Sequence, residues 1–152
     1  MRKFLILMLL PVVLWSCSKD DEPKADKFPS GVANVLDVLH GTWVSDGTDN
    51  ILTFAPYSKP REVQPVNTSW ASMIVYGTLQ RDFNYLGTPE TENYYFVVNV
   101  DKKEIHAYGI TENGSYTIVT AKSYDYEIIN NSTIRLHDKS LSSLNNYTYT
   151  KK

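Results

Sequence analysis

A period of two in the placement of apolar residues, maintained from Gly41 almost to the end of the chain, is the feature that most restricts the fold. Successive side chains of a strand point to opposite faces, so this period predicts β-strands with one buried face. In residues 70–80, for example, Trp70 and Tyr76 share one face of the expected strand. Many short strands with almost no helical pattern indicate an antiparallel sandwich or a closed barrel.

Turn signals divide this region into nine candidate strands, some of which are able to merge. Asp46-Gly47 and Asn113-Gly114 favour tight hairpin turns because their residues tolerate a positive φ. Proline cannot donate to a strand ladder, so the proline-containing segments 56–69 and 86–92 are predicted to be loops. The candidate strands are 41–46, 50–55, 70–80, 93–101, 104–110, 115–121, 123–129, 133–137 and 146–151.

One helical pattern precedes the strands. Its apolar residues follow the spacing i, i+3, i+4, i+7, which places them in a single stripe: Val32, Val35, Leu36 and Leu39. Ser30 is the predicted N-cap and Gly41 the predicted end of the helix. A helix of about ten residues is too short to be stable alone, so we expect it to pack against the strands.

The first 16 residues have the layout of a secretory signal. Arg2 and Lys3 form a positive start, and an apolar run interrupted only by Pro11 covers residues 4–15. A membrane-spanning helix needs about 20 apolar residues, so this run is too short to be retained as a span. We therefore predict that residues 1–16 are a signal peptide that is removed.

The signal ends in Leu14-Trp15-Ser16-Cys17, which resembles the lipobox of bacterial lipoproteins. In that family the chain is cut before the cysteine, whose thiol receives a diacylglycerol and whose new amine is acylated with a fatty acid such as palmitate. The resemblance implies lipidation of Cys17. This residue is also the only cysteine of the chain, so an intramolecular disulfide is impossible.

The next residues are Lys19-Asp20-Asp21-Glu22, which resemble the export signal of surface lipoproteins of the Bacteroidota type. That resemblance implies an outer-membrane protein, lipid-anchored and exposed at the cell surface; the alternative is an ordinary charged tether. Seven charged residues and two prolines in 18–29 predict that residues 17–29 are a disordered tether. The remaining residues, 30–152, are long enough for one domain.

Gly41-Thr42-Trp43 resembles the G-x-W motif that opens the first strand of lipocalins, where a short helix or helical turn also precedes it. The threonine-aspartate-tyrosine motif of true lipocalins is missing, so the resemblance is to lipocalin-like bacterial lipoproteins. It implies an all-β, antiparallel up-and-down barrel of about eight strands. It also implies that Trp43 is buried at the closed end, against the helix and near Arg135. Alternatively, Trp43 is a core aromatic of some other β domain.

Composition and spacing argue against several kinds of chemistry. Without Arg2 and Lys3 the chain has 13 basic and 17 acidic residues, a charge of −4, which disfavours nucleic acid as a partner. His40, His106 and His137 are too scattered to suggest a metal site. No nucleophile motif such as G-x-S-x-G occurs. We therefore expect a monomeric protein that is not an enzyme, with no catalytic residues, cofactor or metal.

Three functions are compatible with such a barrel. The first is binding of a small, partly apolar ligand in the barrel mouth, framed by the loops 56–69 and 86–92. The second is binding of a glycan or a protein through exposed tyrosine and tryptophan. The third is an inhibitor or structural lipoprotein whose barrel is filled. A cavity above about 300 Å³ would favour the first. The candidate ligand-binding residues are Trp70, Tyr76, Tyr94, Tyr108 and Tyr126.

Overall fold

The computed structural model describes residues 27–139 and 146–152. The predicted signal peptide, the Cys17 anchor and the export segment lie outside these residues, so those predictions stay predictions. The elements are α1 (Val32–Leu39), β1 (Gly41–Ser45), β2 (Ile51–Val63), β3 (Met73–Tyr85), β4 (Thr88–Asn99), β5 (Glu104–Ile110), β6 (Tyr116–Asn130), β7 (Thr133–Asp138) and β8 (Asn146–Lys151).

The eight strands form a closed antiparallel barrel. Each strand pairs with the next in the chain, and β8 pairs with β1 to close the sheet. The candidate strands 115–121 and 123–129 merge into β6, which reduces nine candidates to eight strands. The predicted all-β, up-and-down, lipocalin-like architecture with a short N-terminal helix is therefore confirmed.

The helix α1 covers one end of the barrel, which we call the closed end. Its whole apolar stripe is buried: Val32, Val35, Leu36 and Leu39. The N-cap is Gly31, with φ of 80°, and not the predicted Ser30. The chain enters the helix through a left-handed backbone conformation, which glycine adopts more readily than serine. Gly41, with φ of 117°, follows the helix directly and begins β1.

Trp43 lies beneath the helix with no exposed surface. Its indole Nε1 donates a hydrogen bond to the carbonyl of Leu39 over 2.7 Å, which ties β1 to the end of α1. The cation near its ring is Lys151, whose Nζ lies 5.2 Å from the ring centroid and donates to the carbonyl of Val38. The tryptophan side chain therefore joins the first strand, the last strand and the helix.

The predicted position of Arg135 beside Trp43 is wrong. Arg135 lies between the buried residues Ile134 and Leu136, so strand alternation turns its side chain to the outside of the barrel. There it is exposed and pairs with Glu127 of the neighbouring strand. Lys151, on β8, takes the position over the tryptophan ring instead.

The two predicted proline loops are mostly strand. β2 continues through Pro56 and Pro60 to Val63, and the register of its pairing with β3 shifts between Pro56 and Arg61. β4 begins at Thr88, which leaves only the turn at Leu86 and Gly87 between it and β3. Proline is tolerated at bulges and at strand edges, where its missing N–H breaks no ladder bond. Pro89 lies in a part of β4 that pairs with β3 alone.

The barrel interior is packed with large side chains. Phe54 and Phe96 meet edge to face there, with ring centroids 5.4 Å apart. Such contacts fill the space between facing strands. The largest fully buried side chains of the strands and the helix are Val32, Leu39, Trp43, Leu52, Phe54, Val75, Leu79, Tyr94, Phe96, Ile105, Ile134 and Leu136. The hydrophobic core thus occupies the volume that a barrel ligand would need.

Candidate functional site

Among the described residues, a small cavity lies at the mouth of the barrel, at the end opposite α1. Its volume is about 40 Å³, room for very few water molecules. Pockets for small organic ligands usually measure about 300–1,000 Å³. The side chains around the cavity are mostly polar or aromatic: Asn50, Arg81, Tyr124, Leu136, Asp138, Tyr147 and Tyr149.

An ion pair lies at the mouth of the barrel. Arg81 Nη1 lies 3.0 Å from Glu92 Oε2, and the same carboxylate oxygen accepts a 2.5 Å hydrogen bond from the hydroxyl of Tyr94. Burial raises the pKa of Tyr94 and Tyr124 far above the usual range of tyrosine, and it raises the pKa of Tyr149 to about 12. These hydroxyls therefore stay neutral near pH 7.

Three of the five predicted ligand-binding residues belong to the packed core. Tyr94 is 1% exposed, and Tyr126 is also buried. Tyr76 is buried as well, with Phe28 of the N-terminal segment packed edge-on against its ring at 5.5 Å. Their rings contact other side chains of the protein.

The other two predicted residues, Trp70 and Tyr108, lie on the outer face of the barrel, on either side of a third ring. Tyr108 lies between the inward-facing Ala107 and Gly109 of β5, so its ring points outward. Both rings contact Tyr116, which the sequence analysis did not select. Its only signal in the sequence was its place just after the hairpin turn at Asn113-Gly114, and this says nothing about which rings it meets.

The connection between β2 and β3 crosses this outer face, and we call residues 64–72 the strap. Its backbone forms a parallel bridge to the start of β6. The amide of Tyr116 donates to the carbonyl of Gln64, and the amide of Val66 donates to the carbonyl of Tyr116, both over 2.9 Å. The Tyr116 hydroxyl also donates to the carbonyl of Ala71 over 2.5 Å. The strap is therefore held against β6 at both of its ends.

Trp70, Tyr108 and Tyr116 form what we call the aromatic platform. Trp70 stacks on Tyr116 with ring centroids 6.1 Å apart and planes 29° apart, and Tyr108 meets Tyr116 edge-on at 6.0 Å. Tyr116 is buried beneath, while Trp70 and Tyr108 remain partly exposed. A turn in which the amide of Trp70 donates to the carbonyl of Asn67 presents the tryptophan. The rings are thus fixed in place, and two of them reach solvent.

A polar groove of about 290 Å³ adjoins the platform at Tyr108. Ser123 Oγ lies 3.1 Å from His106 Nδ1, and His106 Nε2 lies 3.2 Å from Glu104 Oε2. Lys139 Nζ donates to the other oxygen of Glu104 over 2.6 Å, and this hydrogen bond is the main reason that the pKa of Glu104 is lowered. The groove therefore offers hydroxyl, imidazole and ammonium groups next to an aromatic ring.

Ser123, His106 and Glu104 contact one another in the sequence of a catalytic triad, which consists of a nucleophile, a base and an acid. Their positions in the strands indicate a structural role instead. Ser123 lies within the long strand β6, not on the sharp turn that exposes the serine of α/β-hydrolases. Glu104 is shared with Lys139, so the carboxylate does not serve the imidazole alone. We interpret these contacts as structural hydrogen bonds within β5 and between β5 and β6.

Comparisons with known proteins identify no relative, so the protein is classified by its fold alone. No protein-family model, curated protein or solved structure matches this chain. Among the described residues, no helix is long and apolar enough to cross a membrane, and no group of three or more histidine, cysteine, aspartate or glutamate side chains is arranged to hold a metal ion. The class is therefore that of the closed, lipocalin-like eight-stranded barrel.

Proposed function

We propose that this protein is a lipid-anchored, non-enzymatic lipoprotein of the outer-membrane surface that binds glycans through its aromatic platform. The observation that carries the proposal is the contrast between the two candidate sites. The barrel mouth holds about 40 Å³ of space, whereas the platform presents fixed, partly exposed rings beside a groove of about 290 Å³. We therefore favour the outer face over the barrel interior.

The chemistry of the platform suits a sugar ring. Tryptophan and tyrosine combine a flat apolar face with a polar group, which suits surfaces that stay partly wet. A sugar stacked on Trp70 and Tyr108 would bring its hydroxyls toward His106, Ser123 and Lys139 of the groove. Because the strap and Tyr116 already hold the rings, little conformational entropy would be lost on binding.

Binding of a small apolar ligand inside the barrel remains the weaker alternative. Such a ligand would have to displace packed side chains near Tyr124 and Tyr149, because the existing cavity is far below the usual ligand size. A barrel with no ligand, acting as an inhibitor or structural protein, agrees with the filled core. It gives no account of why Trp70 and Tyr108 are held at the surface.

The anchor and the platform are compatible in space. Phe28 packs on Tyr76, so the chain leaves the domain near the start of α1. Lys27 lies ten positions after Cys17 in the chain, and a fully extended stretch of ten residues spans roughly 35 Å. A domain held on such a tether would keep the side of its barrel open to large glycans.

Replacing Cys17 with serine tests the anchor. We expect Cys17→Ser to lose incorporation of a clickable fatty acid and to move from the membrane fraction to the soluble fraction, because its thiol is the proposed attachment point. Several acyl chains on one residue give stable anchoring, whereas one chain binds only reversibly. Fatty-acid label that persists in Cys17→Ser would disprove lipidation at this residue.

Replacing Trp70 with alanine tests the glycan site. The full chain in detergent micelles is screened by affinity electrophoresis against purified neutral and acidic polysaccharides, and the Kd for the best one is measured by calorimetry. Loss of a central aromatic contact typically costs about 2 kcal/mol or more, so Trp70→Ala should raise the Kd roughly thirtyfold.

Tyr85→Ala is the matched control for the Trp70 variant, because it removes another exposed aromatic ring that lies outside the platform. It should leave the Kd unchanged, and circular dichroism should show both variants folded. The proposal fails if the wild-type chain binds none of the polysaccharides, or if Trp70→Ala binds as tightly as the wild type.

A further inference from the structure

The hairpin formed by β3 and β4 extends beyond the strands that flank it. The pairing of β2 with β3 begins at Ile51 and Asp82, and the pairing of β4 with β5 ends at Tyr94 and Gly109. Residues 83–85 and 88–90 therefore pair only with each other, and we call residues 83–90 the ribbon. A ribbon of this length projects roughly 10 Å past its neighbours.

The tip of the ribbon carries an apolar residue in an unfavourable backbone conformation. Leu86 has φ of 51° and Gly87 has φ of 86°, so both central turn residues are left-handed. Such turns prefer asparagine or aspartate before glycine, because a bulky L-residue is disfavoured at positive φ. Leu86 is also 90% exposed, and its neighbour Tyr85 is 62% exposed. Neither burial nor backbone preference accounts for a leucine here.

The surface beside the tip is acidic. Asp49, Asp82 and Glu90 surround a shallow groove of about 360 Å³ whose apolar part comes from Phe83 and Pro89. The nearest described cation on these strands is Arg81, whose guanidinium lies 4.2 Å from the Phe83 ring centroid and is paired with Glu92. A partner for this surface would therefore need positive charge around an apolar contact.

We propose that the ribbon is a docking element for a protein partner that presents an apolar pocket bordered by lysine or arginine. Tyr85 and Leu86 would enter the pocket, and the acidic groove would face the basic border. The ribbon extends from the mouth end of the barrel, opposite the end that α1 covers. This contact is separate from the aromatic platform and goes beyond the proposed glycan binding.

Leu86→Asn separates a docking role from a structural one. Asparagine suits the left-handed turn better than leucine, so the melting temperature of the full chain should stay the same or rise. If the leucine stabilised the turn, its replacement would lower the melting temperature. If Leu86→Asn melts below the wild type, leucine stabilises the turn and the proposal is overturned.

Photo-crosslinking in intact cells tests the partner. The full chain carries benzoylphenylalanine in place of Tyr85, and a second version carries it in place of Val119, which is 84% exposed and outside the ribbon. We expect one discrete protein adduct from position 85 and none of that mass from position 119. Its yield should fall about tenfold in Leu86→Asn and also in the double variant Asp49→Asn with Glu90→Gln.

Mass spectrometry of the adduct should find the crosslinked segment of the partner flanked by lysine or arginine. An adduct whose yield is unaffected by Leu86→Asn and by the charge variant would be a chance contact and would overturn the proposal. Absence of any adduct at position 85, or an equal adduct at position 119, would overturn it as well.

Discussion

Trp43→Ala is expected to lower the free energy of unfolding by about 3–5 kcal/mol, the typical cost of truncating a buried tryptophan. Trp43 has no exposed surface, donates to the carbonyl of Leu39 and lies under Lys151. Its loss would open a cavity between helix and barrel and leave that carbonyl without the indole donor. Urea denaturation followed by far-ultraviolet circular dichroism measures the change.

Trp70→Ala is the matched control, because its partly exposed ring stacks on Tyr116 at the surface and fills no part of the barrel. It should cost less, about 1–2 kcal/mol. A small domain has about 5–15 kcal/mol of stability in total, so the two variants should be clearly resolved. If Trp43→Ala unfolds within about 1 kcal/mol of the wild type, the helix and barrel are not held together in the way described.

Gly77→Ala is expected to cost about 3 kcal/mol, at the upper end for overpacking a core. A Cβ at Gly77 would lie 2.6 Å from the carbonyl oxygen of Ala55, 2.7 Å from the Cα of Pro56 and 2.7 Å from the ring of Phe96. Two of these atoms are backbone of the adjacent strand, just where its register with β3 shifts. They cannot move without disturbing the barrel.

Gly109→Ala provides the comparison, since Gly109 is also a buried strand glycine. Its Cβ would lie 1.9 Å from Thr120 Oγ1, 3.2 Å from Thr117 Cγ2 and 3.3 Å from Thr120 Cβ, but these are side-chain atoms and Thr120 is exposed. We therefore expect a smaller loss of stability than for Gly77→Ala, about 1–2 kcal/mol. Equal midpoints in urea for the two glycine variants would show that the close approach at Gly77 is not what constrains the strands.

Several features of the fold could be predicted from local sequence patterns. The period of two predicted the strands, the stripe from Val32 to Leu39 predicted the helix, and their arrangement predicted an antiparallel sandwich or a closed barrel. The resemblance at Gly41-Thr42-Trp43 favoured the barrel, which the structure confirms. These predictions succeeded because alternation and helical spacing depend on residues close together in the chain. The lipid anchor at Cys17 rests on the same kind of local signal and stays a prediction.

The two misplaced elements have different physical origins. Proline was expected to end β2 at residue 56, but the strand continues to Val63 with a shift in its register against β3. Such a shift depends on the pairing with the neighbouring strand, which the local sequence does not specify. Arg135 was expected beside Trp43 because of the resemblance to lipocalins, but local alternation between the buried Ile134 and Leu136 turns it outward.

The candidate site was also predicted only in part from the sequence. The sequence alone placed Trp70 and Tyr108 among five candidate ligand-binding aromatic residues, and the structure buries the other three. Only the tertiary structure placed Tyr116 between Trp70 and Tyr108, because the strap pairs with β6 across a long separation in the chain. Likewise, strand alternation predicts that a barrel has an interior, but whether that interior is open depends on how side chains from all eight strands pack together. Here they fill it, and the exposed chemistry is on the outside.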